Sequence, residues 1–380
     1  MKLKVMTILG TRPEIIRLAR VMDRLDQYTD HVMVHTGQNY DYELNQIFYE
    51  ELGIRDPDHF LGTGGGTLGE TLGGILIETE KVIDKVKPDA VLILGDTNSA
   101  ISSIIARRKK VPIYHMEAGN RSFDRNVPEE TNRRLVDHIS DFNLVYTEHA
   151  RRHLLAEGLE HRRINLTGSP MREVLEHYRS KILSSNILST LHLDKQKYIV
   201  VSLHREENVD SPERLTSLVN ALNDLAVKYE YPIIVSTHPR TKKRLDVLDQ
   251  ACHAFIQFSK PFGFYDYNKL QMDSFCTISD SGTIAEESSI LSFPGITPRD
   301  AIERPEGLDT GCIIMTGVDR GAIVAGVEAI TKSHSERVRQ SLPHPVPEDY
   351  CVTNTSERVV NLILGTTHLS NKWDGIRVNR

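Results

Sequence analysis

The sequence predicts an α/β protein of two doubly wound domains, each a parallel sheet with helices on both faces. The chain has 380 residues, and a typical domain size of ~150 residues favours two domains. Short apolar runs alternate with longer amphipathic stretches along most of the chain, which is the pattern of βαβ units. The alternation breaks at a polar, serine-rich stretch, 167–195, and then starts again.

The first half contains short apolar runs that we interpret as parallel strands: Val5–Leu9, His31–Thr36, Ala90–Leu94, Pro112–Met116 and Phe142–Tyr146. Runs that are apolar almost throughout fit strands that are covered on both faces. The amphipathic stretches between them are predicted helices: Pro13–Leu25, Tyr42–Leu52, Leu68–Val86, Ser99–Lys109 and Glu129–Ile139.

The second half repeats this organisation without repeating the sequence. Its predicted strands are Tyr198–Leu203, Ile233–Ser236, Phe255–Phe258, Phe275–Ser279 and Cys312–Met315. Its predicted helices are Pro212–Tyr229, Lys242–Ala251, Thr283–Leu291 and Arg320–Ser333. We place the boundary at Gly168-Ser169-Pro170, which gives domains 1–169 and 170–352. Two such sheets put a cleft between the carboxyl ends of their strands, where doubly wound proteins bind ligands.

Composition excludes several classes of function. The 46 Lys and Arg residues against 52 Asp and Glu residues give a net charge of −6, so no overall basic field attracts nucleic acid or an anionic membrane. The four cysteines lie far apart without a CxxC pair, which argues against a zinc ribbon or disulfide scaffold and fits a reducing cytoplasm. No apolar run approaches the ~18 residues of a membrane span, and Val5–Leu9 is too short for a signal peptide. We therefore expect a soluble, cytoplasmic protein.

Polar residues follow several predicted strands of the first half. Arg12 lies in Gly10-Thr11-Arg12-Pro13-Glu14, where free helix N–H groups suit an anion. Asp96 and Glu117 follow two later strands, and Glu129 opens the helix after a charged loop. Carboxylates that converge on one pocket raise one another's pKa, which suits them to accept and donate protons. The structural alternatives are a solvated arginine at a plain turn and an aspartate that caps a helix.

The second half offers a nucleotide half-site. His204 ends its first strand and can neutralise a phosphate or shuttle a proton, although a structural loop histidine is the alternative. Ser281-Gly282 precedes a helix whose free N–H groups suit a diphosphate. Glu287, one to two turns on, can hold a ribose diol, and Tyr267 can stack on a base. No set of ligands has the spacing of a metal site.

Eight motifs occur together in one order. They are Gly10-Thr11-Arg12-Pro13-Glu14, Gly95-Asp96-Thr97, His115-Met116-Glu117-Ala118-Gly119, Pro128-Glu129-Glu130-Thr131-Asn132-Arg133, Thr167-Gly168-Ser169, His204-Arg205-Glu206-Glu207-Asn208, Ser279-Asp280-Ser281-Gly282 and Glu303-Arg304-Pro305-Glu306. This series, from about residue 3 to residue 330, resembles the UDP-N-acetylglucosamine 2-epimerase family. The resemblance implies two Rossmann-like domains facing across a cleft, a fold of the GT-B type. It also implies that 353–380 returns to the first domain, with a floppy tail, 370–380, as the alternative.

The resemblance further implies a UDP-sugar ligand and a set of site residues. Such enzymes expel UDP while they remove the C2 proton, and then add UDP back with a proton on the other face. The catalytic residues implied are Asp96, Glu117, Glu129 and His204. The substrate-binding residues implied are Arg12, Arg17, Arg133, Tyr267, Ser281, Gly282, Glu287 and Arg304. The family needs no nicotinamide or other cofactor, its partners include neither nucleic acid nor membrane, and its bacterial members are commonly homodimers.

Departures from the usual family motifs bear on the substrate. Ser169-Pro170 follows Thr167-Gly168, Thr283 stands in the nucleotide loop, and Gln38–Tyr42 replaces the segment tied to activator binding. These features resemble the branch that converts UDP-2-acetamido-2,6-dideoxy-L-talose to UDP-N-acetyl-L-fucosamine for capsule or O-antigen synthesis. The alternatives are a UDP-GlcNAc 2-epimerase, a hydrolysing epimerase, a GT-B glycosyltransferase and a non-catalytic UDP-sugar sensor.

Overall fold

The computed structural model of the protein describes residues 2–37, 46–237, 239–248 and 250–377. The chain forms two compact units, Met1–His177 with Asp349–Arg380, and Tyr178–Glu348. Each is an α/β unit with a parallel sheet, which confirms the predicted fold class. The first unit extends to His177 rather than to Ser169, because helix Met171–His177 packs against the first helix of that unit.

In the described part of the first unit, seven parallel strands form one sheet. They are β1 Lys4–Leu9, β2 Asp30–His35, β3 His59–Phe60, β4 Ala90–Leu94, β5 Ile113–Met116, β6 Phe142–Val145 and β7 Ile164–Leu166. Their order across the sheet is β3-β2-β1-β4-β5-β6-β7. The helices are α1 Arg12–Tyr28, α2 Gln46–Leu52, α3 Leu68–Val86, α4 Ser103–Arg108, α5 Pro128–Ile139, α6 Glu148–Ala156 and α7 Met171–His177.

In the described part of the second unit, the sheet has six parallel strands. They are β8 Ile199–Ser202, β9 Ile233–Ser236, β10 Ile256–Ser259, β11 Cys276–Ser279, β12 Gly295–Thr297 and β13 Ile313–Met315, in the order β10-β9-β8-β11-β12-β13. The helices are α8 Arg179–Leu183, α9 Ile187–Thr190, α10 Glu206–Val209, α11 Pro212–Tyr229, α12 Pro239–Leu248, α13 Phe264–Asp273, α14 Ile284–Leu291, α15 Glu306–Asp309 and α16 Arg320–Arg339. Apolar side chains of β8, β9 and β11 pack on those of α11 and α16 in a buried core.

The last helix, α17 Thr355–Trp373, packs on the first unit. The guanidinium carbon of Arg163 lies 4.9 Å from the ring centroid of Phe142 and 5.1 Å from that of Trp373. Arg163 Nη2 also donates to Asp374 Oδ1 at 2.6 Å. The C-terminal segment therefore contacts the first unit as far as Asp374. Residues 378–380 lie outside the described residues.

The structure contains elements that the sequence did not predict, among them the helices α6 and α13. The strands β3, β7 and β12 were not predicted, because two or three residues carry no recognisable pattern. The predicted helix Ser99–Lys109 is a 3₁₀ helix, Asn98–Ser102, followed by α4. None of the described helices is long and apolar enough to cross a membrane.

Candidate functional site

The carboxyl ends of β1, β4 and β5 lie side by side in the first sheet. Arg12 begins α1 directly after β1, and the loops after β4 and β5 carry Asp96 and Glu117. Since parallel strands end at one edge, polar side chains that are far apart in sequence come together there. This edge is where the sequence predicts the acid/base groups.

Glu14 joins the loop after β1 to the loop after β4. Its Oε2 accepts from Gly10 N at 3.0 Å and from Thr11 Oγ1 at 2.8 Å, and its Oε1 accepts from Thr97 Oγ1 at 3.1 Å. The side chain is completely buried, and burial raises the pKa of Glu14 to about 7 although these hydrogen bonds lower it. Glu14 lies in the motif Gly10–Glu14, but the sequence does not predict it as a site residue.

Asp96 lies at the end of β4 and is held by an arginine of α5. Arg133 Nε donates to Asp96 Oδ2 at 3.0 Å, and Arg133 Nη2 also contacts that oxygen. Arg133 Nη1 donates to the buried Glu130 at 2.9 Å. Arg133 therefore holds the Asp96 carboxylate in one orientation, and Asp96 keeps part of its side chain accessible.

Glu117 follows β5 in an unusual backbone conformation. Its φ is +63°, in the left-handed region that residues other than glycine rarely adopt. Its carboxylate forms an ion pair with Arg17 of α1, and both side chains are largely buried. The strained backbone and the ion pair together fix where the carboxylate lies.

Glu129 differs from the other two carboxylates. It lies in the first turn of α5 and is half-buried. Among the described residues, its side chain has no hydrogen-bond or ion-pair partner. A carboxylate of this kind can take up or release a proton without breaking an internal ion pair.

A buried histidine–aspartate pair contacts the backbone at this edge of the sheet. His115 of β5 places Nε2 2.8 Å from Gly95 O and Nδ1 3.0 Å from Asp137 Oδ1. Burial alone would raise the pKa of Asp137, but the hydrogen bonds and charges of His115 and Arg121 outweigh it and lower that pKa. His115 thus connects α5 to the backbone of the residue before Asp96.

In the second unit, β8 and β11 are neighbours, and His204 and Asp280 follow them. Asp280 is fully buried and accepts from the backbone N–H groups of His204 and Arg205 at 3.0–3.1 Å. It also accepts from Asn208 Nδ2 at 3.1 Å. His204 Nδ1 lies 3.1 Å from Asp280 Oδ1, while 35% of the His204 side chain is exposed. Asp280 lies in the motif Ser279–Gly282, but the sequence does not predict a catalytic or binding role for it.

The loop before α14 carries Ser281 and Gly282. Ser281 Oγ lies 2.9 Å from Thr283 Oγ1. The Gly282 carbonyl accepts from Arg304, whose Nε lies 3.3 Å from Glu286 Oε2. Arg304 is buried. Its contacts with Gly282 and Glu286 therefore stabilise the loop before α14.

Glu287 and Tyr267 lie on the helices beside this loop. Glu287 is on α14 and accepts from Gln271 Nε2 of α13 at 2.8 Å. Tyr267 is half-buried on α13 and packs against an apolar cluster with Tyr198 and Leu270. Both residues thus lie on elements that adjoin in the fold.

The predicted site residues divide evenly between the two units. Those of the first unit are Arg12, Arg17, Asp96, Glu117, Glu129 and Arg133, and those of the second are His204, Tyr267, Ser281, Gly282, Glu287 and Arg304. The sequence did contain a signal for Asp280, since it follows a strand as Asp96 does. The motif Gln38–Tyr42 lies outside the described residues. Within the described ranges, no group of three or more His, Cys, Asp or Glu side chains is placed to hold a metal ion.

The chain is similar to known proteins along most of its length. The family model for UDP-N-acetylglucosamine 2-epimerase matches residues 23–364. A UDP-2,3-diacetamido-2,3-dideoxy-D-glucuronate 2-epimerase of Pseudomonas aeruginosa is 36% identical over 85% of this chain and 90% of its own length. A structure of UDP-N-acetylglucosamine 2-epimerase from Rickettsia bellii has a TM-score of 0.90 at 46% identity, covering 98% of this chain and 99% of that chain. The UDP-GlcNAc 2-epimerase of Methanocaldococcus jannaschii, solved in complex with UDP-GlcNAc and UDP, has a TM-score of 0.88 at 35% identity, covering 96% and 100%.

Proposed function

This chain belongs to the UDP-N-acetylglucosamine 2-epimerase family, and we propose that it is a non-hydrolysing isomerase that inverts C2 of a UDP-2-acetamido sugar. The observation that carries the proposal is the set of carboxylates of the first unit, Asp96 and Glu117 at neighbouring strand ends and Glu129 in the first turn of α5. Proton transfer at carbon needs such groups, whereas transfer of a sugar to an acceptor does not need three of them.

The chemistry explains why several acid/base groups are required. C2 of a UDP-sugar has no adjacent carbonyl, so its proton is not acidic enough for direct exchange. Loss of UDP together with that proton gives a 2-acetamidoglycal, and UDP then adds back with a proton on the opposite face. Each positioned acid or base contributes ~10²–10⁴-fold, and stabilisation of the departing charge is usually the largest contribution.

We assign the proton transfers at C2 to Asp96, Glu117 and Glu129. The ion pairs with Arg133 and Arg17 support this assignment for the first two, because they hold each carboxylate in one place. Glu129, which has no ion-pair partner among the described residues, is suited to change its protonation state during turnover.

We assign the diphosphate and the nucleoside to cationic and small residues. Arg12, at the first turn of α1, and His204 neutralise the diphosphate. Gly282 precedes α14 and offers its backbone N–H group, and Ser281 offers its hydroxyl. Glu287 holds the ribose, Tyr267 stacks on uracil, and Arg304 supports the loop by binding the Gly282 carbonyl.

We propose UDP-2-acetamido-2,6-dideoxy-L-talose as the substrate, converted to UDP-N-acetyl-L-fucosamine for capsule or O-antigen synthesis. The motif departures at Ser169-Pro170 and Thr283 support this choice. UDP-GlcNAc is the second candidate, and the names of the relatives favour it. We further propose that the enzyme is a homodimer, which light scattering after size-exclusion chromatography tests.

The test of function is incubation in D₂O with each UDP-sugar in parallel, followed by NMR at C2. We expect deuterium at C2 in an intact UDP-sugar product. The sugar that reacts identifies the substrate. Free UDP with a reducing sugar would indicate a hydrolysing epimerase instead, and UDP binding without any exchange would indicate a glycosyltransferase or a UDP-sugar sensor.

A further inference from the structure

Asp280 is surrounded by hydrogen-bond donors. The backbone N–H groups of His204 and Arg205 and the amide of Asn208 all point at its carboxylate, at 3.0–3.1 Å. The fourth group at this carboxylate is the His204 ring, with Nδ1 3.1 Å from Asp280 Oδ1. Because an ionised carboxylate only accepts hydrogen bonds, the ring nitrogen that faces it has to carry a proton.

The charge state of Asp280 agrees with this geometry. Burial alone would raise the pKa of Asp280, but the charge and hydrogen bond of His204 and the two backbone N–H groups outweigh it and lower that pKa. The carboxylate is therefore ionised at neutral pH. It has no proton of its own to donate to the imidazole ring.

The protein has a second histidine–aspartate pair, and the two pairs differ in the exposure of the histidine. In the first unit, His115 is 1% exposed and both of its nitrogens lie at internal acceptors, Gly95 O and Asp137. His204 also places Nδ1 at a buried aspartate, but 35% of its side chain is exposed. Among the described residues, His204 Nε2 has no hydrogen-bond partner. Both ring nitrogens of His115 thus lie near internal acceptors, whereas His204 Nε2 has none among the described residues.

We propose that Asp280 is a positioning residue that holds His204 in its Nδ1–H form, so that Nε2 is the atom that exchanges a proton with the diphosphate of the substrate. The proposal rests on the proposed function, which supplies the diphosphate. In the doubly protonated ring, Nδ1–H stays at Asp280 while the Nε2 proton passes to the diphosphate as the C1–O bond breaks and its electron pair stays with the UDP oxygen, which leaves the neutral Nδ1–H form. When the bond forms again, the proton returns to Nε2, so His204 ends each cycle unchanged.

The tautomer can be observed without any assay of activity. Long-range ¹H–¹⁵N NMR of ¹⁵N-histidine-labelled protein distinguishes a protonated from a bare ring nitrogen, and His204→Gln identifies the His204 signals. In alkaline buffer, we expect a protonated Nδ1 and a bare Nε2 at His204. A protonated Nε2 with a bare Nδ1 would overturn the proposal, and this measurement needs no variant at Asp280.

The variant Asp280→Asn tests whether Asp280 determines the tautomer of His204. An asparagine can turn its amide N–H towards the ring, which favours the other tautomer, as the equivalent change does in serine proteases. We expect the protonated Nε2 form of His204 to appear in this variant. Asp137→Asn is the matched control, because it removes the other buried carboxylate and should leave the His204 signals in place. Unchanged His204 signals in Asp280→Asn would overturn the proposal.

Kinetics separate positioning from a general loss of structure. We expect kcat of Asp280→Asn to fall by about 10²–10⁴-fold, with the Kd for UDP changed less than about threefold. A kcat equal to that of the wild type, with the tautomer reversed, would overturn the role in proton exchange. If neither UDP-sugar exchanges at C2 in the wild type, the proposed function fails while the NMR result on the tautomer still stands.

Discussion

At the scale of single residues, the acid/base groups are defined by their partners. Asp96 and Glu117 are each held by an arginine, whereas Glu14 is enclosed by neutral donors. A carboxylate buried among neutral groups has its charged form disfavoured, and burial raises the pKa of Glu14 to about 7. Neighbouring carboxylates of one sheet edge can therefore have different roles.

Replacing Asp96 by Asn is expected to abolish deuterium exchange at C2. The amide keeps the size of the side chain but can no longer accept a proton, while the diphosphate contacts are untouched. The Kd for UDP, measured by calorimetry, should stay within about threefold of the wild-type value. Asp23→Asn, at a surface ion pair, is the control and should exchange normally. Full exchange in Asp96→Asn would remove Asp96 from the scheme.

Glu14 is expected to make the free energy of unfolding depend on pH. The folded protein keeps the Glu14 proton between its ordinary pKa of 4.5 and about 7, whereas the unfolded chain loses it. Unfolding therefore releases a proton in this window, and the contribution of Glu14 to stability decreases as the pH rises. A pKa raised from 4.5 to about 7 corresponds to about 3 kcal/mol.

Urea unfolding of the wild type and of Glu14→Gln, from about pH 4 to about pH 8, checks this dependence. The free energy of unfolding of the wild type, minus that of the variant, should decrease by about 3 kcal/mol across the range. The exposed Glu213 provides the control, since Glu213→Gln should run parallel to the wild type. If the free energies of unfolding of the wild type and of Glu14→Gln changed in parallel with pH, the proton-binding role of buried Glu14 would be contradicted.

At the scale of elements, close approach between loops and strand ends builds the site. Gly10 links β1 to α1, and a Cβ at this position would overlap Thr36 Oγ1 and Ser99 Oγ. Those two hydroxyls lie 3.0 Å apart and connect the loop after β2 to the 3₁₀ helix after β4. The packing of the loops at this edge of the sheet therefore requires glycine at position 10.

Gly10→Ala is expected to lower both stability and kcat. The added methyl group pushes the turn before Arg12 away from the loop after β2 and the 3₁₀ helix after β4, and overpacking of this kind costs about 1–3 kcal/mol. Gly69→Ala is the matched control, because Gly69 is helical and a methyl group added there would have no atom within 4 Å. It should be neutral or slightly stabilising. Equal unfolding midpoints and equal kcat in the two variants would contradict the steric argument.

At the scale of the whole molecule, the chain leaves the first unit after His177 and returns to it at Asp349. The return is secured by α17 and by the Arg163 contacts with Phe142 and Trp373. Trp373 is the single tryptophan of the sequence. Its fluorescence therefore reports on the unfolding of the first unit.

Arg163→Ala is expected to lower the urea midpoint seen by Trp373 fluorescence. The change removes two ring contacts and the hydrogen bonds to Ser370 and Asp374, with an expected loss of about 2 kcal/mol. Arg162→Ala is the control, since Arg162 is half exposed and lies farther from the Trp373 ring, at 5.9 Å. If the two variants unfolded at the same urea concentration, α17 would not depend on Arg163.

Most of the fold was predictable because it is encoded locally. The apolar runs at Val5–Leu9 and Ala90–Leu94 are buried strands, as predicted, and the polar residues directly after strands include Asp96 and Glu117. Edge strands such as His59–Phe60 were not predictable, since two residues form a strand only because a neighbouring strand is present. Roles for Glu14 and Asp280 were not predictable, because their burial depends on tertiary packing and their donors include residues far away in sequence, Thr97 for Glu14 and His204 for Asp280.

The sequence by itself determined the two-unit α/β fold and the family, since apolar periodicity and ordered motifs are local properties of the chain. Only the tertiary structure decided which ionisable side chains pair with one another. Arg133 with Asp96, Arg17 with Glu117 and Asp280 with His204 are 37, 100 and 76 residues apart. Such pairs form when parallel strands bring their carboxyl ends to one edge, and burial there sets how strongly each charge is felt.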